Sequence, residues 1–315
     1  MTKPRVLFRV EGNDQVGHGH FMRCLTMARY LKDALTCEFA MSAPSDLAKQ
    51  QLIEFGLKLH NTPWKEQFHP DDKRSTADWK FDLQGLLTTD DLLIVDGYRF
   101  DDSFVHASHQ IGAKVIQVLD AFDSPVHGDG VITQLPLNTQ EASQLSSVPV
   151  WSGLNGFMIR PEFYDGNDTE IPKEFDIFTY ITSQINLNFI KGEFQAGGKK
   201  ICALASPDLA TQCQALGWTT MVSPSLQVLI SAMRRSYTGF LPASTIAIEY
   251  FVATRRKPYV MALADNQKWG MQKFIHAGMW IGLQQPKTNR EDGTNHKTIL
   301  DNPQSQFVNW IHARI

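Results

Sequence analysis

Apolar positions in the first half of the chain alternate between short unbroken runs and stretches with helical spacing. Arg5 to Val10 reads as a short buried strand, followed by a Gly/Asn/Asp-rich turn. Met22, Leu25, Met27, Ala28 and Leu31 then recur at three- and four-residue intervals and predict a helix over about His20 to Ala34. Glu38 to Met41 is a second strand, and Ser45 or Asp46 can cap a helix running to Phe55. Leu92 to Asp96 is apolar until its final carboxylate, as in a strand buried on both faces. A helix over Asp102 to Ile111 leads to a strand from Lys114 to Leu119, after which Asp120 stands. Strands separated by helices imply a parallel sheet covered on both sides.

The pattern restarts after Asp165 to Glu174, where Gly166, Asn167, Asp168 and Pro172 mark a linker. Strands are predicted over Phe175 to Thr182, Ile201 to Ala205, Thr219 to Val222, Tyr237 to Phe240 and Pro258 to Ala262. Helices are predicted over Pro207 to Leu216, Ser225 to Met233, Thr245 to Arg255 and Asn266 to His276. Gly282 to Gly293 reads as loop, and Pro303 to Arg314 as a closing helix that can pack back on the first domain. The expected fold is α/β, with two Rossmann-like domains, residues 1–165 and 166–315, facing a cleft. Ligands of open parallel sheets bind beyond the carboxyl ends of the strands, so residues just after strands are the candidates for chemistry.

Composition narrows the function classes. Of 315 residues, 43% are hydrophobic and 20% charged, ordinary globular usage that excludes a disordered or collagen-like chain. A net charge of −3 offers no electrostatic footprint for nucleic acid or an anionic membrane. Cys24, Cys37, Cys202 and Cys213 form no C-x-x-C pair and read as reduced, buried thiols. No apolar run approaches the ~20 residues of a membrane span. The start of the chain reads as a strand rather than a signal peptide, and a soluble, cytoplasmic protein is expected.

Val16-Gly-His-Gly-His-Phe-Met-Arg23 lies between the first strand and the first helix. Gly17 and Gly19 permit a tight turn and close approach of a ligand to backbone. His20 falls near the helix N-terminus, where the dipole suits the neutral imidazole that a general base requires. Arg23, one turn later, can pair with a carboxylate or face an anionic ligand. Two plainer readings stand beside this one: the glycines only make the turn and His20 only caps, or His18 and His20 form half of a metal pair that nothing nearby completes. The dinucleotide spacing G-x-G-x-x-G is absent from this loop.

Arg9 followed by Gly17-His-Gly-His20-Phe-Met-Arg-Cys-Leu25 resembles the N-terminal signature of the UDP-sugar hydrolases of pseudaminic acid biosynthesis. Those enzymes are relatives of spore-coat polysaccharide proteins and share the GT-B architecture of the MurG glycosyltransferase. Val95-Asp-Gly-Tyr98, Asp120 with His127, and Gly156-Phe-Met-Ile-Arg160-Pro-Glu-Phe163 resemble further family segments in the same order. Ser244-Thr-Ile-Ala-Ile-Glu249 and Ala264-Asp-Asn-Gln267 resemble its nucleotide-binding helix and Asn-Gln motif. The resemblance implies inverting attack of water on a UDP-linked 2,4-diacetamido-2,4,6-trideoxy sugar, with no metal or other cofactor. It assigns His20 as the base and Tyr98 to the reacting sugar. Gly17, His18, Gly19, Arg23, Asp96, Asp120 and Arg160 fall to the substrate, and Ser244, Thr245, Glu249, Asn266 and Gln267 to the nucleotide. Two alternatives are a GT-B glycosyltransferase of surface polysaccharide and a non-catalytic sugar-nucleotide binder.

The resemblance departs from the family at three places, one of them the Gly-rich approach to the later helix, thinned here to Gly239-Phe-Leu-Pro-Ala-Ser244. The family's Gly-Gly-x-Asp loop is replaced by Thr182-Ser-Gln-Ile-Asn186, which removes the glycines that let backbone approach a diphosphate. Ala121 stands where the family has a second aspartate. Among the remaining candidates, His106 and His109 share a helix face, and Asp71-Asp72, Asp90-Asp91 and Asp101-Asp102 read as turns and caps. Trp64, Trp79, Trp151 and Trp280 read first as packing residues, and Lys199-Lys200 and Arg234-Arg235 as solvated surface.

Overall fold

The computed structural model describes residues 3–13, 18–62, 74–122, 125–152, 158–165, 171–194, 197–263, 265–283 and 302–315. The chain divides into two compact units, Met1–Met158 with Asn302–Ile315, and Ile159–Asp301. Each is a parallel sheet of Rossmann type with helical crossovers.

Unit 1 runs β1 (Arg5–Val10), α1 (Gly19–Leu31), β2 (Thr36–Met41), α2 (Asp46–Glu54), β3 (Lys58–Asn61), α3 (Thr76–Leu83), β4 (Leu92–Asp96), α4 (Asp102–Ile111), β5 (Lys114–Val118), β6 (Gly130–Ile132), α5 (Thr139–Gln144) and β7 (Val150–Trp151). Its seven strands are ordered β3-β2-β1-β4-β5-β6-β7. The chain therefore moves outward from β1 in one direction and returns to the other side with β4. Sheets of this kind bind ligands beyond the carboxyl ends of the strands that flank such a reversal, here β1 and β4, where Val10 is in register with Asp96. Alternation along β1 sends Val6, Phe8 and Val10 into the core beneath α1, and Leu7 into the opposite core with Trp79, Phe100 and Phe104.

Arg9 follows Leu7 on that second face and is fully buried. Its guanidinium donates to Glu11 Oε1 at 2.6 Å, to Ser42 Oγ and to the carbonyls of Val10 and Ala40. It also lies 4.7 Å from the Phe100 ring centroid. Burial pushes this guanidinium down to about 10 despite the opposing charge of Glu11.

Unit 2 runs β8 (Phe175–Ile181), α6 (Gln184–Phe194), β9 (Ile201–Ala205), α7 (Pro207–Ala215), β10 (Thr219–Met221), α8 (Leu226–Arg234), β11 (Ser236–Pro242), α9 (Thr245–Thr254), β12 (Tyr259–Met261), α10 (Asp265–His276) and β13 (Ile281–Gly282). The order is β10-β9-β8-β11-β12-β13, so its reversal lies between β8 and β11. The closing helix, α11 (Gln304–His312), packs on α1 in unit 1, where Phe307 and Ile311 are fully buried. The loop expected over Gly282 to Gly293 falls mostly outside the described residues, as does the middle of the linker.

α9 is apolar on every side except at Glu249, and eight of its residues are buried. It can pack so closely because β11 offers Gly239. A Cβ at Gly239 would lie 3.0 Å from Cε2 and Cζ of Tyr250, whose ring is fully buried and stacked on Phe178. The ring has nowhere to retreat. Gly239→Ala is therefore expected to destabilise unit 2 by about 1–3 kcal/mol, read as a lower urea midpoint. An unchanged midpoint would show that α9 can shift.

Candidate functional site

The β1–α1 connection ends at His18, the N-cap residue of α1, and places His20 in the helix's first turn. His18 makes no side-chain cap. Its Nε2 instead lies 2.8 Å from Ser45 Oγ, which accepts the Ala48 N–H and so caps α2. Glu11 adds a second tie between these loops, accepting the Ser42 N–H on Oε2 while Oε1 accepts from Arg9 and lies 3.5 Å from Arg99. Glu11, Ser42 and Arg99 are not singled out for a site by the sequence, although an arginine inside an apolar strand, with a glutamate two positions on, is a readable sign of a buried pair.

His20 and Arg23 stand one turn apart on α1 and therefore share a face. Both meet Asp96, the last residue of β4. His20 Nδ1 lies 2.7 Å from Asp96 Oδ1, while Arg23 donates from Nη2 to Oδ1 at 2.7 Å and from Nε to Oδ2 at 2.8 Å. Arg23 also donates from Nη1 and Nη2 to Asp120, just beyond β5, at 2.6 and 3.1 Å. Of the two roles open to Arg23, pairing with carboxylates is the one it adopts. The Asp96 carboxylate is fully buried. Burial alone would raise its pKa, but the Arg23 charge and the hydrogen bonds from His20 and Arg23 outweigh it and hold the group at about 2.

This arrangement sets the imidazole tautomer. Arg23 Nη2 approaches His20 Nδ1 to 3.2 Å, but a guanidinium only donates. The shorter contact to an ionised carboxylate places the proton on Nδ1 and the lone pair of the neutral ring on Nε2. Among the described residues, no group bonds Nε2. Beside it stands Tyr98, 75% exposed, its ring edge-on to His20 at a centroid distance of 4.9 Å. Gly97 makes that placement possible with φ of 151°, where a side chain would be strained and would crowd the Phe100 ring at 3.0 Å. A carboxylate behind an imidazole with a bare second nitrogen can take a proton from water or a hydroxyl and stabilise the imidazolium that forms.

In unit 2, Ser244, Thr245 and Glu249 follow β11, beside the β8–β11 reversal, while Asn266 and Gln267 open α10 after β12. Ser244 is the N-cap of α9, but its own N–H donates to Pro242 O at 2.8 Å and is already used. Thr245 opens the helix. Glu249, 5% exposed, accepts from Arg160 Nε at 2.9 Å, with Nη2 at 2.8 Å from the same oxygen, Oε1. Arg160 and Glu249 both belong to unit 2, so the pair lies within it. Gln267 accepts the Leu263 N–H on Oε1, whereas Gly17 and the side chain of Asn266 lie outside the described residues.

The segment Thr182 to Asn186, read from the sequence as a loop, joins the end of β8 directly to α6, which begins at Gln184, and its amides have a different use. Buried Asn186 accepts the N–H groups of Thr182 and Ser183 at 3.3 and 2.9 Å, and donates to Tyr180 O at 2.6 Å. A side-chain carbonyl occupies those donors.

Other candidates resolve into packing or surface pairs. Trp79, Trp151 and Trp280 are buried, and Trp64 and Asp71-Asp72 lie outside the described residues. Asp91 bonds Arg5 and the Thr88 N–H, and Asp101 caps α4. His109 pairs with Asp129, while His106 lies against His127. The four cysteines are free and buried. Among the described residues no group of three or more His, Cys, Asp or Glu side chains is placed to hold a metal ion, and no helix is long and apolar enough to cross a membrane.

No family model and no curated protein matches the chain. Solved structures do. The chain superposes on MurG of Acinetobacter baumannii with a TM-score of 0.60 and 13% identity, covering 98% of this chain and 90% of that one. UDP-GlcNAc 2-epimerase of Methanocaldococcus jannaschii gives 0.58 and 10%, with 98% and 99% coverage. Medicago truncatula UGT71G1, complexed with UDP-glucose, gives 0.58 and 10%, with 98% and 93% coverage. At such identities the likeness establishes the fold, two Rossmann-like α/β domains of the GT-B class.

Proposed function

We propose that this chain is an enzyme acting on a UDP-sugar, and that it hydrolyses a UDP-linked diacetamido-trideoxy sugar with inversion. The observation that carries the reading is the Asp96–His20 pair at the β1–β4 reversal, with Nε2 unbonded among the described residues and Tyr98 beside the ring. In this mechanism the water oxygen forms a bond to the anomeric carbon as its proton passes to His20 Nε2. The bond from that carbon to the phosphate oxygen breaks, and its electron pair leaves with UDP. Asp96 faces the imidazolium, and Arg23 and Asp120 hold Asp96 in place. Tyr98 borders the sugar, along with Gly17, His18 and Gly19. In unit 2, Thr245 at the start of α9 is assigned to the diphosphate, and Glu249, Asn266 and Gln267 to the nucleoside. The epimerase is named for UDP-GlcNAc and UGT71G1 is complexed with UDP-glucose, which supports the choice of substrate class.

A glycosyltransferase reading has support of its own, because a base of this kind deprotonates an acceptor hydroxyl as readily as water. Acceptor dependence separates the two. Purified protein incubated with a UDP-linked 2,4-diacetamido-2,4,6-trideoxy sugar and no acceptor is expected to release UDP and free sugar of inverted anomeric configuration, followed by NMR. Release only with an acceptor glycan or lipid would replace hydrolysis by transfer. UDP binding without release under either condition would leave a non-catalytic binder.

A further inference from the structure

His20, Arg23, Asp96 and Asp120 form one chain of charges within unit 1. Buried Asp96 meets Arg23 at 2.7 and 2.8 Å, so the carboxylate behind His20 is already neutralised by a guanidinium. That guanidinium also stands 3.2 Å from His20 Nδ1, and it repels the ring once both ring nitrogens carry a proton. Asp96 and Arg23 by themselves therefore offer the forming imidazolium no net counter-charge. Asp120 supplies one. It stands just beyond β5, and both its oxygens face Arg23, at 2.6 and 3.1 Å. The other titratable groups beside the ring and its partners bring no charge. Tyr98 is a phenol, neutral below about pH 10, and lies edge-on to the imidazole. Cys24, on the next position of α1, has its Sγ 3.6 Å from Asp96 Oδ2, and burial together with that carboxylate pushes the thiol well up. Two carboxylates against one guanidinium leave a single net negative charge while His20 is neutral, and none once it is protonated.

We propose that Asp120 is a positioning residue of the reaction: by offsetting the charge of Arg23 it strengthens His20 as the base that takes the proton of water on Nε2. The proposal rests on the reading of His20 as general base. Its physical content is that a base is as strong as the cation it forms is stable. Both carboxylates push the Arg23 guanidinium well above its ordinary range despite burial, so its charge is permanent and the balance around it is set by the carboxylates alone. Taking away the Asp120 charge leaves Asp96 against His20 but destabilises the imidazolium. His20 then stays neutral to lower pH and accepts a proton less readily at neutral pH.

Asp120→Asn keeps the shape and one acceptor oxygen for Arg23 while removing the charge, and Asp120→Glu keeps the charge. UDP release from the diacetamido UDP-sugar is followed against pH for the wild type and both variants. In parallel the His20 imidazole is titrated by NMR without substrate, its resonances picked out from those of the ten histidines by their loss in His20→Gln. Asp120→Asn is expected to turn over about 3- to 10-fold more slowly at neutral pH, with the deficit narrowing as pH falls. Its acid limb of activity and its His20 titration midpoint should both move to lower pH, while Asp120→Glu keeps those of the wild type. Asp120→Ser supplies the same comparison if circular dichroism shows Asp120→Asn unfolded. A loss equal at every pH, with an unmoved His20 midpoint, would reduce Asp120 to a structural role and overturn the proposal. A midpoint moved as far in Asp120→Glu as in Asp120→Asn would overturn it too, because charge would not then be the agent. The two readings fail separately. A moved midpoint in a protein that releases no UDP would uphold the effect of Asp120 on His20 and remove the hydrolase reading, whereas an unmoved midpoint in an active enzyme would remove the role of Asp120 alone.

Discussion

Asp96→Ala is expected to destabilise unit 1 by about 3–5 kcal/mol, the largest stability effect of any single change considered. The reason is what it leaves behind. Asp96 is buried and accepts from His20 and from two nitrogens of Arg23, a side chain only 11% exposed. Removing the carboxylate leaves a buried guanidinium with Asp120 as its remaining counter-charge. Urea denaturation of Asp96→Ala, Arg23→Leu and the double variant checks this, because the double variant removes both charges and should lose less than the two single losses summed. Strict additivity would show that the pair is not coupled.

The same carboxylate carries a pH signature. Its folded value of about 2 lies below that of an unfolded aspartate, so its contribution is complete above about pH 4 and is lost as pH falls through about 2. The size of that acid limb is on the order of 2 kcal/mol, and Asp96→Ala should lack it.

His20→Gln is expected to lower turnover by about 10²- to 10⁴-fold while leaving the denaturation curve and UDP affinity nearly unchanged. Glutamine can still reach the Asp96 carboxylate, but it offers no basic nitrogen in place of Nε2. His20 is partly exposed and among the described residues meets Asp96, Arg23 and Tyr98, so little of the fold depends on it. UDP release is the readout, with UDP titration as the binding control. Wild-type turnover would remove His20 from the base role and with it the central support for the hydrolase reading. Parallel loss of affinity and turnover would instead make His20 a binding residue.

Much of the α/β pattern is written locally. β4 is apolar up to Asp96, and α4 begins at an Asp101 cap and ends at Gly112, which adopts φ of 99°. Both were therefore readable from neighbouring residues alone. The short strands β3, β6, β7 and β13, of two to four residues, carry too few side chains for a period and exist because an adjacent strand supplies their hydrogen bonds. α3 hid its signal differently: it buries only Trp79 and Leu83, and its clearest mark is the Ser75–Asp78 capping box.

The candidate site divides along the same line. Residue type and position after a strand single out His20, Arg23, Tyr98, Asp96 and Asp120 separately. Their union depends on the strand order, which sets β1 beside β4 and brings Asp96 onto a histidine 76 positions earlier. Only that contact chooses the imidazole nitrogen that keeps its lone pair. Likewise Arg160 and Glu249, 89 positions apart, become one ion pair through the packing of a turn on α9, and Asn186 in the first turn of α6 occupies the amides of Thr182 and Ser183 through a side chain that folds back. By itself the sequence determined the succession of strands and helices and the residue types at the strand ends, because propensity, capping and hydrophobic period act over a few neighbouring residues. The tertiary structure alone decided which charges neutralise one another and which polar atoms remain bare, because Coulomb energy and hydrogen bonding depend on distances that exist only after the sheets have formed.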